Sequence, residues 1–131
     1  MAGVKSTNYA DTLITVSPDC PVATGTIPEK PDTIAGHQYA LLEGRPYAMT
    51  SDDLLFETHC ARGGGKSREE FFAKPQACLR ASALVKQFGW GVHHGVEGRI
   101  ALVGVESAEY RRMLDDPAIR KTPGMRGADS R

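Results

Sequence analysis

Two apolar runs, Gly89–His94 (GWGVHH) and Arg99–Val105 (RIALVGV), flank the tetrapeptide Gly95–Gly98 (GVEG). Alternating, β-branched stretches around a glycine-bounded turn predict a β-hairpin. A hairpin cannot stand alone in water, so the rest of the chain must supply at least one further strand and a covering layer. With a two- or four-residue loop, even positions before the turn share a face with odd positions after it. One face is then Trp90, Val92, His94, Arg99, Ala101, Val103 and Val105. The other is Gly89, Gly91, His93, Ile100, Leu102 and Gly104. Three glycines on one face would leave room for a backbone or a ligand. The expected ligand-binding groove therefore runs over Gly89, Gly91 and Gly104, beside Trp90, with His93 at one end.

The flanking chain reads mainly as helix. Residues 11–16 (DTLITV) alternate as a short strand, and residues 17–31 hold four prolines and form an extended connector. Asp32 is placed to cap a helix over 33–43, with Gly44 as its terminal glycine and Ile34, Tyr39, Leu41 and Leu42 on the buried side. Thr50 or Ser51 caps a second helix, with Asp52 and Asp53 at the positive end of its dipole. Residues 54–60 (LLFETHC) also fit a strand. Ser67 and Glu70 make a capping-box pair for a short helix. Residues 76–82 (QACLRAS) read as extended, and Ser107 caps a last helix. Residues 115–131 read as a mobile C-terminal tail. The expectation is one α+β domain over 1–131. Its small, mostly antiparallel sheet is centred on the hairpin, with residues 79–82 or the N-terminal strand beside it, and three or four helices cover it.

Charge and cysteines bound the function. The net charge is zero, but residues 1–65 balance at −4 and residues 66–131 at +4. The two halves can attract within one fold or between two copies, so self-association is one expected partner class. A near-neutral pI of 6.9 argues against a nucleic-acid partner. Three cysteines without short spacings fit reduced thiols. No apolar run has the length of a signal peptide or a membrane span, which places the chain in the cytoplasm.

The chemistry-bearing residues are few. Residues 63–67 (GGGKS) resemble part of a phosphate-binding loop, but that motif needs a glycine where Cys60 stands and a strand before it. His93 and His94 are adjacent, so on a strand they point to opposite faces and do not share an ion. No metal or cofactor is expected. As acid–base candidates, His93 and His94 stand with Asp52 and Asp53, though acids in a first helical turn are commonly there for the dipole. Arg80, in a small apolar stretch, needs an acidic partner or an anionic ligand. A nucleophilic pair of Cys60 or Cys78 with a histidine lacks any local signature.

The segments NYADTLITVSPDCP, TSDDLLFETH, FFAKPQACLRAS and above all FGWGVHHGVEGRIALVGVESAEY resemble a family of small, mainly bacterial proteins known only as a domain of unknown function. The resemblance runs from about Asn8 to Arg126. It departs from the family pattern at Gly95 and Val96, where acidic residues are expected, and at Ala83 and Val85. It implies a single-domain cytosolic protein and no established activity. The leading expectation is a binding or interaction module for a small anionic ligand or a partner segment. The alternative is a small enzyme with His93 or His94 as general acid–base.

Overall fold

The computed structural model describes residues 6–126. The fold is α+β, a four-stranded mixed sheet with helices on both faces. The strands are β1 (Thr12–Thr15), β2 (Trp90–His94), β3 (Ile100–Gly104) and β4 (Arg120–Pro123), in the order β3-β2-β1-β4. β2 pairs antiparallel with both β1 and β3, whereas β4 runs parallel to β1. The helices are α1 (Ile34–Leu42), α2 (Ser51–Ala61), α3 (Arg68–Phe72), α4 (Ala83–Lys86) and α5 (Ala108–Asp115). No helix among the described residues is long and apolar enough to cross a membrane.

The expected hairpin forms, but its register overturns the expected faces. Trp90 lies opposite Gly104, Val92 opposite Leu102 and His94 opposite Ile100. Even positions therefore face with even ones. The cause is the turn. Gly95 N–H donates to the Arg99 carbonyl (2.9 Å), leaving the three-residue loop Val96–Gly98 with Gly98 at φ 83°. A three-residue hairpin loop ending in a left-handed glycine is a common solution, and its odd length flips every residue that follows.

The two sheet faces carry separate cores. Ile14, Val92 and Ile100 pack with Leu42 of α1, Leu54 of α2, Val85 of α4 and Leu79, which precedes α4. Leu13 and Val103 pack on the other face with Tyr110 and Met113 of α5. Burying a side chain of this size stabilises by roughly 1.5–3 kcal/mol, so both layers are needed to hold the sheet.

Capping fixes the helices that frame these layers. Thr50 Oγ1 accepts from Asp53 N–H, and Asp53 Oδ2 accepts from Thr50 N–H, a complete capping box that settles 51–61 as helix rather than strand. Ser67 and Glu70 do the same for α3, which also explains the serine of the GGGKS segment. Thr50→Ala is expected to cost about 1 kcal/mol in chemical unfolding, because it strips one partner from the helix N-terminus.

Four further expectations are corrected. Thr33, not Asp32, caps α1, since its Oγ1 accepts from Gly36 N–H (3.1 Å). Ile34 is half exposed, and Ala35, Gly36, Gln38 and Leu42 are the buried residues of α1. Residues 79–81 form a tight 3-10 turn rather than a strand, closed by Ala81 N–H to Cys78 O and Ser82 N–H to Leu79 O. Small alanines and a capping serine favour this over extension. Finally, residues 120–123, expected within a mobile tail, form β4. Arg120 N–H donates to Asp11 O and Gly124 N–H to Thr15 O, each at 2.8 Å. The last five residues of that expected tail, 127–131, lie outside the described residues.

Candidate functional site

The glycines do not make a shared groove. Gly91 lies on the α5 face, where a Cβ would come within 2.7 Å of the Tyr110 ring. Gly104 lies on the opposite face, and its extra atom would meet the Glu106 carboxylate at 2.7 Å. Gly89 has φ 77° and abuts the Thr24 carbonyl. Each glycine thus admits another part of the same chain. Trp90 is half-buried, donates from Nε1 to the Thr26 carbonyl (2.9 Å) and tilts against Tyr39 at 5.8 Å.

The remaining candidates separate. Asp52 is consumed in tying down the N-terminal segment: its carboxylate accepts from Thr7 N–H and Oγ1, each at 2.7 Å, and from Ser6 Oγ. Burial alone would raise the Asp53 carboxyl, but its bonds from Thr50 and the Arg68 guanidinium at 2.8 Å hold it below the ordinary range. Neither aspartate hydrogen-bonds a histidine. Arg80 donates from Nε to the Pro123 carbonyl (2.7 Å), and among the described residues it forms no ion pair. Among those residues, no three His, Cys, Asp or Glu side chains converge to hold a metal.

The two histidines lie on opposite sheet faces. His94 is 0% exposed, and neither ring nitrogen has a side-chain hydrogen-bond partner. Burial drives its pKa down to about 4, so it is neutral at pH 7. The Tyr9 ring meets it edge-on at 5.2 Å. His93 is half-buried, and its Nδ1 lies 2.7 Å from Tyr47 Oη.

Tyr9 links the buried histidine to a cleft. Its hydroxyl and the Cys78 thiol are hydrogen-bonded at 3.3 Å. Burial, reinforced by that thiol, pushes the phenol up to about 12, while the nearby Arg80 charge pulls the other way. Cys78 opens into a cleft of about 330 Å³ between α1, α2 and residues 76–83. Its wall includes Ile34, Ala35, Leu55, Leu79 and Ala81. Inside it, the buried Gln38 amide oxygen accepts from Ser82 Oγ (2.7 Å), and Ser82 Oγ also caps α4. Apolar walls with a few fixed polar groups are the usual make-up of a small-molecule site.

The sequence offered a partial signal for this cleft. Cys78 stood among the candidate thiols, and the half-exposed Ile34 at its lip is an apolar residue on a capped helix. Gln38, Ser82 and Tyr9 gave none, because only tertiary packing brings them to Cys78.

A family model described as a family of unknown function (DUF6157) matches residues 4–130, and the chain belongs to that family. No curated protein and no solved structure matches it.

Proposed function

We propose that this member of the DUF6157 family is a small-molecule-binding protein whose site is the cleft between α1, α2 and residues 76–83. One observation carries the reading: an apolar-walled cleft of about 330 Å³ holds a buried Gln38–Ser82 pair and the Cys78 thiol. The fitting ligand has a compact apolar body and one polar head, either a carboxamide or a carboxylate. The body lies against Ile34, Ala35 and Leu55, and the head exchanges hydrogen bonds at Gln38 and Ser82. Cys78 is then a wall of the site, hydrogen-bonded to the Tyr9 hydroxyl.

Alkylation gives the test. Cys60 is exposed and Cys20 half-buried, so both are first replaced by serine. Short linear and aromatic carboxamides and carboxylates are then screened by thermal shift before and after Cys78 reacts with N-ethylmaleimide. Compounds that raise the melting temperature of the free thiol form and lose that effect on the alkylated form support the cleft. Compounds that stabilise both forms equally, or no stabilising compound at millimolar concentration, would sink it.

A further inference from the structure

At the C-terminal end of α1 lies a second pocket, of about 240 Å³. It shares no lining residue with the cleft beside Cys78. Two aromatic rings border it, Tyr39 from α1 and Trp90 from the start of β2. Their centroids are 5.8 Å apart and their planes meet at 44°. Rings tilted in this way do not close on each other as a stack. The indole is also fixed. Its Nε1–H donates to the Thr26 carbonyl, and Gly25 packs so close that a Cβ there would lie 2.9 Å from Cη2 and Cζ2 of the ring. An aromatic surface already held in place needs no ordering when a ligand arrives.

The end of α1 supplies the charge. Glu43 is the C-cap and leaves the helix with extended backbone (φ −60°, ψ 128°). It lines the pocket, is exposed, and among the described residues its carboxylate makes no ion pair and no hydrogen bond. Gly44, at φ 69°, then turns the chain, as a glycine after a helix commonly does. Arg45 N–H donates to the Leu42 carbonyl (3.1 Å), and Pro46 returns to the pocket wall. No basic side chain stands in the last turn of α1, so the negative end of its dipole adds to the Glu43 charge. Burial raises the Tyr39 pKa and Glu43 raises it further, so the ring remains a neutral phenol. Leu42 and Leu102 complete an apolar lining.

These features select one kind of ligand. Aromatic faces attract positive charge, tryptophan most strongly. Apolar walls penalise a compact, strongly hydrated ammonium, whereas methyl groups on the nitrogen spread the charge over an apolar surface. The volume falls below the roughly 300–1,000 Å³ of sites for drug-sized molecules, so only a small head group fits.

We propose that this pocket binds a free quaternary ammonium compound of about the size of choline, its methyl groups against the Tyr39 and Trp90 rings and its charge facing Glu43. The site stands independently of the cleft, whose proposed ligands carry no cation.

Trp90 is the single tryptophan of the chain, so its emission reports the pocket directly. The full chain is titrated at constant ionic strength with choline and with its uncharged carbon isostere, 3,3-dimethylbutan-1-ol. Choline is expected to shift the emission saturably, with a midpoint about tenfold below that of the alcohol. Glu43→Gln, at an exposed side chain without a bond to lose, should raise the choline midpoint about threefold and leave that of the alcohol unchanged. Tyr39→Leu should raise it about fivefold and bring the two ligands together. Nα-acetyl-trimethyllysine methylamide carries the same head on a peptide-like body and should bind no more tightly than choline. Equal midpoints for choline and the alcohol, a choline midpoint unmoved in Glu43→Gln, or no saturable shift up to about 100 mM choline would overturn the proposal. Tighter binding of the trimethyllysine compound would overturn its assignment to a free small molecule.

Discussion

Replacing His94 with leucine is expected to raise the stability of the fold by about 1–3 kcal/mol at pH 7, the usual cost of a buried polar group left without a partner. The imidazole is fully buried and neither nitrogen makes a hydrogen bond of good geometry, although the backbone of Val92 and Thr12 lies near enough to favour the imidazolium against the larger effect of burial. Leucine is of similar volume, carries no polar atom and would share the sheet face of Val92, opposite Ile100. The edge-on contact with Tyr9 is lost, but such a pair contributes only about 0.5–1.5 kcal/mol. The same residue makes the wild-type fold acid-sensitive. Its pKa falls from 6.5 in the unfolded chain to about 4 in the folded one. Above pH 6.5 both states hold it neutral and it contributes no slope. Below 6.5 the unfolded state takes up the proton first, so stability falls with pH and levels off near 4. The loss sums to about 3 kcal/mol over that window. Urea unfolding of wild type and His94→Leu at pH 7, 5.5 and 4.5 separates the two effects. A variant with the same pH slope as wild type, or one less stable at pH 7, would refute the account of this histidine.

Gly89→Ala is expected to destabilise by about 3 kcal/mol or more, through left-handed strain added to a collision. Gly89 has φ 77°, and a methyl group there would strike the carbonyl of Thr24 in the N-terminal connector. That connector is held beside β2 by Thr26 N–H to the Phe88 carbonyl (2.7 Å), so it cannot step back without losing the bond. Gly65→Ala makes the control: its φ is not positive and nothing lies within 4 Å of the added carbon. Its effect should stay within about 0.5 kcal/mol. If Gly89→Ala unfolded within 1 kcal/mol of wild type, the close approach of the connector would be wrong.

These two residues also show how far the sequence could be read. The strands of the hairpin, the caps at Thr50, Ser67 and Ser107, and the α+β class were legible, because alternation and capping chemistry are local. The facing of the hairpin was not. It turns on whether Arg99 closes the turn or begins the strand, and the last glycine of Val96-Glu97-Gly98 was the one clue. From that single step, Gly89, Gly91 and Gly104 became a groove in the sequence and packing sites in the fold. β4 was invisible because residues 120–123 (RKTP) have no strand pattern of their own and take their shape from β1. The separation of His93 from His94 across the sheet was legible. Their surroundings were not, since Tyr47 and Tyr9 arrive from segments 46 and 85 residues away.

The central claim is that the cleft beside Cys78 holds a small ligand, and amide chemical-shift mapping tests it most directly. Hexanamide and hexanoate are titrated into the labelled chain, and the backbone amides are followed. The account predicts saturable shifts confined to Ala35, Gln38, Leu55, Cys78, Ser82 and their immediate neighbours. Shifts that do not saturate, or that centre on Trp90 and the hairpin while these residues stay still, would contradict it.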